Sequence, residues 1–267
     1  YVSPTLTATP KVSQEWIGPK RQIYFDIPDK VPFADQPSKV CAKCEMPLSH
    51  GLFGNARYCH YSGRYYCKNC NIKDLVIIPA YVLRKWDFTP RPVCKFYSEF
   101  LGSMMDEPLY DPKAIDSSII EKVPTLKRIQ AVRIVLDYQH KYFVRSCRHS
   151  KSLLAFVDQL FPGRMHLISD RLFSLQDFID AHKGKLLEVL LTLAKIWSSH
   201  ITNCNTCKAK GSYCEFCSSK EIIYPFHIKH TYICPDCKSV SHRSCYKAGH
   251  CPRCRRIDRR QHQQLQQ

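Results

Sequence analysis

Apolar side chains recur at helical spacing through the middle of the chain. They lie three, four or seven positions apart, so they share one face of a helix. These residues are Leu126, Ile129, Val132, Leu136, Phe143 and Cys147. The pattern predicts a long amphipathic helix that packs against a core.

Three further helices follow from periodicity and from end signals. One covers 150–161 and ends at a Pro-Gly pair. Ser174 and Asp177 have the spacing of a capping box, which opens a helix toward His182. After a glycine, the almost wholly apolar stretch 185–201 predicts the helix at the centre of the core. Shorter signals predict a strand at 22–27 and a helix over 81–86.

Composition indicates a folded chain. Hydrophobic residues make up 44% and aromatic residues 12% of the sequence, which is enough for a core. The chain opens at Tyr1 rather than Met, as expected for a piece of a longer protein. We expect no signal peptide. We also expect no transmembrane segment, because the most apolar helix signal, 189–197, contains Lys195 and a span needs about 20 apolar residues.

The cysteines change the picture most. Twelve of the sixteen fall in Cys-x-x-Cys pairs. The pairs are Cys41 and Cys44, Cys67 and Cys70, Cys204 and Cys207, Cys214 and Cys217, Cys234 and Cys237, and Cys251 and Cys254. Such a knuckle places both sulfurs on one side of a turn, as a tetrahedral zinc requires. We therefore predict at least three Zn²⁺ ions.

The charge balance favours acidic partners. The formal net charge is +17, and counting zinc-bound cysteines as thiolates leaves about +12. A surface of this kind suits anionic lipid, nucleic acid or an acidic protein face.

The first cysteine cluster resembles the FYVE zinc module. The glycine at 63, the aromatic pair before Cys67 and the knuckle itself match that pattern, whereas the fourth FYVE cysteine falls on Ser62. One zinc follows, held by Cys41, Cys44, Cys67 and Cys70. The basic run that grips phosphoinositide in FYVE domains is reduced here to one arginine at 57. Cys59 is either a ligand of another site or a small buried hydrophobe.

The second cluster has the ligand order of an interleaved pair of zincs, as in PHD and RING modules. Alternate knuckles would share a metal. One site takes Cys214, Cys217, His242 and Cys245, and the other takes Cys234, Cys237, Cys251 and Cys254.

Cys204 and Cys207 then lack two ligands. Either they share a metal with Cys214 and Cys217, so that the remaining ligands of the second cluster pair differently, or two further residues complete their site. The candidates are His200, His227, His230 and Cys59. Cys94 and Cys147 are single cysteines in helical pattern, and we interpret both as core packing.

These sites have structural rather than catalytic chemistry. A catalytic zinc keeps an open position, whereas these knuckles are saturated with sulfur. No H-E-x-x-H, G-x-S-x-G or phosphate-binding loop occurs in the sequence. We expect a protein that is not an enzyme.

The chain is expected to have an α+β, mainly helical fold: a helical block flanked by two zinc-stapled small modules, half-FYVE-like at the amino end and PHD/RING-like at the carboxyl end. Five segments follow in order. They are a Pro-rich arm at 1–38, a FYVE-like module at 39–92, a helical subdomain at 93–203, a multi-zinc module at 204–257 and a basic, Gln-rich tail at 258–267.

This combination resembles the Rubicon-homology domain of the Rubicon and Pacer adaptor family, from about residue 16 to 257. The distinctive stretches are PAYVLRKWDF at 79–88, KGSYCEFC at 210–217, IIYPF at 222–226 and CPRC at 251–254. The nine cysteines and one histidine of that family's carboxy-terminal cluster have counterparts here, Cys204 to Cys254 with His242.

The resemblance implies binding to the GTP form of a late-endosomal Rab GTPase (Rab seven). It also implies a role in autophagosome and endosome maturation and in fusion with lysosomes. The expected location is cytoplasmic and peripheral, on late endosomes, lysosomes or autophagosomes.

A basic stripe is predicted roughly opposite the apolar face of the long helix. It consists of Lys127, Arg133, Lys141, Arg145, Arg148 and Lys151. Such a stripe is usually a solvated face. Alternatively it meets an acidic rim on a GTPase or an anionic membrane surface.

Two other functions have motif support. The run from Cys251 to Arg255 resembles the end of a RING module, and Phe216 occupies the place of the residue that touches the conjugating enzyme. The four-residue gap before His242 is typical of PHD rather than RING modules. Basic charge with zinc also suggests nucleic-acid binding, but no finger repeat with a recognition helix is present, so we expect no nucleic acid.

Overall fold

The structure is a computed structural model that describes residues 20–36, 38–169, 171–217 and 219–265. The chain divides into two compact units, an N-terminal unit up to Met105 and a C-terminal unit from Asp106 onward. The prediction of a mainly helical fold is confirmed. The likeness of the flanking modules to FYVE, PHD or RING domains stays a prediction, as do the five segments.

The N-terminal unit is built from short elements. Its strands are β1 (Arg57–Tyr58), β2 (Tyr65–Tyr66), β3 (Asp74–Val76) and β4 (Arg91–Val93), and its helices are α1 (Pro79–Lys85) and α2 (Lys95–Ser103), after a 3₁₀ turn at Phe33–Asp35. β1 pairs antiparallel with β2, and β3 pairs antiparallel with β4. Pro79 opens α1 at a position where a missing N–H costs nothing.

Tyrosine side chains form much of the core of this unit. Tyr61 and Tyr97 are buried, with ring centroids 4.8 Å apart, and Tyr24 packs on both. The Tyr61 hydroxyl donates to the carbonyl of Gln22 at 2.7 Å and accepts the N–H of Tyr24 at 3.2 Å. The backbone of Gln22 and Tyr24 therefore bonds to a side chain instead of a neighbouring strand. No strand forms at 22–27, and the strand prediction there is wrong. Residues 1–19 of the predicted arm lie outside the described residues.

The C-terminal unit contains the helical block. Its helices are α3 (Pro112–Ile115), α4 (Ser117–Lys122), α5 (Pro124–Gln139), α6 (Ser150–Leu160), α7 (His166–Ser169), α8 (Leu175–His182) and α9 (Lys185–Asn203). A π-helical turn, His140–Val144, continues α5. Downstream follow α10 (Asn205–Lys208), β5 (Thr231–Ile233), β6 (Val240–His242) and α11 (Pro252–Leu265).

Helices α5 and α9 pack against each other at the centre of the block. Leu136 and Trp197 are fully buried there, and the side-chain amide of Gln139 donates to Ala194 O at 3.1 Å and to Ser198 Oγ at 2.7 Å. A buried amide that crosses between helices fixes their register, because leaving it unpaired would be costly.

A buried ionic network secures α8. Ser174 and Asp177 form the predicted capping box. Asp177 also accepts from Arg164 and lies 2.7 Å from His166 Nε2. Burial alone would raise the pKa of Asp177, but the hydrogen bonds from His166 and Ser174 and the charge on Arg164 outweigh it and hold the pKa below its usual value.

The cysteine-rich region, 204–254, has little regular structure. β5 and β6 form a three-residue antiparallel pair. Residues 258–265 of the predicted basic tail belong to α11, and its last two residues lie outside the described part of the chain. Nearer the start of the same helix, Arg256 bonds Glu215 at 2.7 Å. Among the described residues, no helix has both the length and the apolar character that crossing a bilayer requires.

Candidate metal centres

Four groups of cysteine and histidine residues converge in the described part of the chain. Within each group all four ligand atoms lie within 4.8 Å of one another. The groups are the Cys41 cluster (Cys41, Cys44, Cys67, Cys70), the Cys147 cluster (Cys147, His200, Cys204, Cys207), the Cys214 cluster (Cys214, Cys217, His242, Cys245) and the Cys234 cluster (Cys234, Cys237, Cys251, Cys254). Around a tetrahedral zinc, sulfurs are about 3.8 Å apart, and sulfur and nitrogen about 3.6 Å.

The Cys41 cluster joins two knuckles of the N-terminal unit. The Sγ atoms of Cys44 and Cys67 are 3.7 Å apart, which matches the edge of a zinc tetrahedron and is far longer than a disulfide bond. Burial raises the pKa of Cys41, but the backbone amides of Cys67 and Cys44 outweigh it and lower the pKa to about 7. These amides favour the thiolate, the form that binds metal.

The Cys214 cluster takes its histidine from β6. His242 Nδ1 lies 3.5 Å from Cys217 Sγ and 3.8 Å from Cys245 Sγ. The His242 backbone N–H donates to Cys214 Sγ at 3.4 Å. One residue thus supplies a ligand with its side chain and orients another ligand with its backbone, as groups around metal ligands commonly do.

The Cys234 cluster ends on α11. The Sγ distances are 3.6 Å between Cys234 and Cys254 and 3.5 Å between Cys237 and Cys251. Burial raises the pKa of Cys251, but the Ser239 hydroxyl and the amide of Cys254 outweigh it and lower the pKa to about 6. This grouping and that of the Cys214 cluster are the interleaved sets that the sequence order predicts.

The Cys147 cluster is the one that the sequence analysis did not assemble. Cys147 Sγ lies 3.4 Å from His200 Nε2 and 3.9 Å from Cys204 Sγ, and His200 Nε2 lies 3.6 Å from Cys207 Sγ. Cys147 follows the π-helical turn, and His200 lies in the last turn of α9. Cys147 is buried in an apolar cluster, as the core-packing interpretation expects, but it also lies beside the knuckle of Cys204 and Cys207, with His200.

The other candidates for this centre lie elsewhere. His227 packs its ring against Tyr224 and Phe226, and burial lowers its pKa. His230 belongs to none of the four groups.

Cys59 and Cys94 form a separate buried pair in the N-terminal unit. The N–H of Cys94 donates to Cys59 Sγ at 3.4 Å. The side-chain hydrogen bond with Cys94 lowers the pKa of Cys59 to about 6 and raises that of Cys94. Cys59 thus joins neither the Cys41 nor the Cys147 cluster.

Arg133 does not lie on an exposed basic stripe of α5, where the sequence predicts it. Its guanidinium is buried, donates to the carbonyls of Leu167 and His166, and lies over the Phe173 ring. The carbonyls compensate the buried charge, so this arginine ties α5 to α7. The other five residues are exposed: Lys127, Lys141, Arg145, Arg148 and Lys151.

Comparison with known proteins decides the family. The Rubicon Homology Domain pattern matches residues 57–259. The chain belongs to the Rubicon homology family. The predicted resemblance is confirmed.

Three relatives of this Rubicon homology domain illustrate the match. The mouse Run domain Beclin-1-interacting and cysteine-rich domain-containing protein is 35% identical over 92% of the chain and 26% of its own length. The human protein associated with UVRAG as autophagy enhancer is 32% identical over 93% of the chain and 38% of its own length. Pleckstrin homology domain-containing family M member 3 of Xenopus laevis is 34% identical over 80% of the chain and 28% of its own length. The chain spans only about a quarter to two fifths of these relatives.

Proposed function

We propose that this Rubicon homology domain is a non-enzymatic adaptor that binds four Zn²⁺ ions and the GTP form of a late-endosomal Rab GTPase (Rab seven). Through that interaction it regulates the maturation of autophagosomes and endosomes and their fusion with lysosomes. It acts in the cytoplasm, on the surface of late endosomes, lysosomes or autophagosomes.

Zinc binding is supported by the edges of the four clusters, which lie between 3.4 and 3.9 Å where a distance joins two ligand atoms. Each cluster offers four ligands, so each metal would be saturated and would hold the chain together instead of activating water. Three clusters tie the cysteine-rich region to itself or to the helical block.

The observation that carries the autophagy role is membership of the family. The relatives' own names refer to Beclin-1, to UVRAG and to enhancement of autophagy. An adaptor of this kind discriminates between nucleotide states because the γ-phosphate orders the switch loops of a GTPase, so a partner that reads those loops binds one state well.

A cleft of about 770 Å³ in the C-terminal unit fits such a partner. α5 and its π-helical turn line one side, and residues 233–238 line another. Ile134 and Tyr142 are about half exposed, at 51% and 52%. Lys141 and Lys238 also line the cleft. The basic side chains of the lining outnumber its two aspartates. Apolar anchors beside a net positive charge are typical of a protein-binding surface, where the charge steers the encounter.

The test is calorimetric titration of the chain with Rab seven, loaded with a non-hydrolysable GTP analogue or with GDP. We expect clear preference for the GTP form. The double variant Ile134→Asp, Tyr142→Asp should weaken that binding at least about tenfold, the loss of one or two anchors. The matched control is Leu191→Asp on α9, which is 43% exposed and does not line the cleft.

Unchanged zinc content in all variants would show that the scaffold is intact. Equal affinity for the two nucleotide states would refute the switch-reading mechanism. Wild-type binding by the cleft variant would place the contact on another surface. Autoubiquitination in the presence of a conjugating enzyme, without Rab binding, would favour the RING-like alternative.

A further inference from the structure

The loop at residues 49–55 carries the two most exposed large hydrophobic side chains among the described residues. Leu52 is 95% exposed and Phe53 is 91% exposed, whereas the next, Leu75, is 66% exposed. Single apolar side chains on a surface are ordinary. Two adjacent ones with almost no protein contact mark an interaction site.

The tip is a turn whose backbone geometry holds these side chains outward. The N–H of Gly54 donates to the carbonyl of Gly51 at 3.0 Å, so Leu52 and Phe53 occupy the two central positions. Gly51 has φ +113°, a conformation that favours glycine. A Cβ at residue 54 would lie 2.5 Å from the carbonyl oxygen of Ser49. Both flanking glycines are thus required by the fold of the loop.

Hydrogen bonds close the base of the loop. The Asn55 side chain accepts the N–H of Ser49 at 2.8 Å and donates to the carbonyl of Pro47 at 3.1 Å. The N–H of Ala56 donates to the carbonyl of Ser49 at 3.1 Å. None of these bonds uses the two tip side chains. The loop therefore keeps its shape without burying them, and they are available to a partner.

The surrounding sequence favours an anionic partner. Positions 46–73 contain no aspartate or glutamate. Over the same stretch there are four positive side chains, Arg57, Arg64, Lys68 and Lys73. Lys39 also lies at the base, since its carbonyl accepts the N–H of Leu48. Glu45 lies just before this stretch, but the net charge of 39–73 is still positive. An apolar tip within a stretch of net positive charge complements a bilayer, which has anionic headgroups above an apolar interior.

We infer that the 49–55 loop inserts Leu52 and Phe53 into the interfacial layer of an anionic lipid bilayer. A protein partner usually needs a broad surface of about 800 Å² on each side, whereas this tip is narrow. Two inserted side chains give a weak and reversible anchor, so the loop acts together with a second membrane-directed contact. The inference does not depend on Rab binding, because lipid vesicles alone test it.

The experiment measures partition of the full chain onto phosphatidylcholine vesicles with and without phosphatidylserine. The double variant Leu52→Ser, Phe53→Ser should lower partition about tenfold or more onto the anionic vesicles, since both apolar contacts are lost. The matched control is Leu75→Ser in β3 of the same unit, which should bind as the wild type does.

A second readout locates the tip in the membrane. Tryptophan fluorescence of Phe53→Trp should be quenched by brominated lipid more than that of the wild type, whereas Leu75→Trp should show no extra quenching. This readout still decides the matter if the serine variant misfolds, which its zinc content would reveal.

Two results would overturn the inference. One is full vesicle binding by the serine variant together with no added quenching in Phe53→Trp. The other is loss of GTPase binding by the serine variant while its vesicle binding stays at the wild-type level. That second outcome would assign the tip to a protein interface.

Discussion

The helical block and the cysteine-rich region of the C-terminal unit are stabilised in different ways. In the block, Leu136, Leu193 and Trp197 are fully buried between long helices. In the cysteine-rich region the strands are three residues long, and its own core consists of Ile223, Val240 and Cys214, with partly buried neighbours. Its other buried aromatic side chains, Tyr224 and Phe226, pack on Phe143 of the block. Apolar burial can hold the first region, but so few buried side chains cannot hold the second.

The difference indicates where metal is needed for folding. Short structural segments without a sizeable core are commonly folded by zinc alone. The Cys147 cluster lies at the border, since Cys147 follows the π-helical turn, His200 lies in α9, and the knuckle of Cys204 and Cys207 opens α10. With zinc bound as we propose, it would fasten the cysteine-rich region to the helical block, beside the apolar contact of Tyr224 and Phe226 with Phe143.

Metal removal should have the largest effect, and it should affect the two regions differently. Chelation of zinc should unfold residues 204–254 while α5 and α9 keep most of their helix, because structural zinc contributes roughly 10 kcal/mol or more per site. Hydrogen exchange resolved by peptide would show fast exchange in the first region and protection in the second. Equal loss of protection in both regions would mean that the block also depends on metal.

Cys147→Ala tests the metal centre at the border between the helical block and the cysteine-rich region. We expect zinc content to fall from four ions to three per chain, with the other three clusters intact, because one ligand of four is removed. Elemental analysis measures the stoichiometry. Cys94→Ala is the matched control, since Cys94 is equally buried but belongs to no cluster. Four ions in both variants would show that Cys147 is not a ligand.

Asp177→Asn should act on the block alone. Breaking the buried pair with Arg164 should destabilise the block by about 3–5 kcal/mol, with zinc content unchanged. Chemical denaturation followed by helical circular dichroism measures the effect, and Glu188→Gln on the exposed face of α9 should stay within about 0.5 kcal/mol.

The same variant has a pH signature. The pKa of Asp177 is lowered in the folded state, so its stabilisation is fully present above the ordinary aspartate pKa of about 3.9 and is lost as pH falls toward the lowered value. The difference between wild type and Asp177→Asn should therefore shrink as the solution is acidified. A constant difference would argue against an ionised carboxylate.

Local signals made much of this structure predictable. The capping box at Ser174 was readable because both of its partners lie within one helical turn. The interleaved ligand sets were readable because knuckle order limits the ways in which two zincs can share eight ligands. Periodicity placed α9, since a continuous apolar stretch of that length has few alternatives.

Long-range contacts explain what the sequence missed. Cys147 has no knuckle partner, and only the deficit at Cys204 and Cys207, two ligands short, signalled that single residues must complete that centre. Arg133 has the spacing of a solvated face, yet the carbonyls of Leu167 and His166 turn it inward. No pattern in the sequence of α5 announces carbonyls that lie more than 30 residues away.

The π-helical turn at His140–Val144 has a consequence for sequence change in this segment. The backbone N–H of Arg145 donates to the carbonyl of His140, five residues earlier. This turn therefore contains one residue more than a turn of α-helix. Loss of one residue within 140–144 would turn this segment into regular α-helix and keep the downstream residues in phase, because five residues of a π-turn and four of an α-helix cover about the same angle. In a helix without the extra residue, the same loss would rotate everything downstream by about 100°, and Cys147 would point away from His200 with every residue of its cluster still encoded. The π-helical turn is therefore the place in this segment where the domain can lose a residue and keep the Cys147 cluster together.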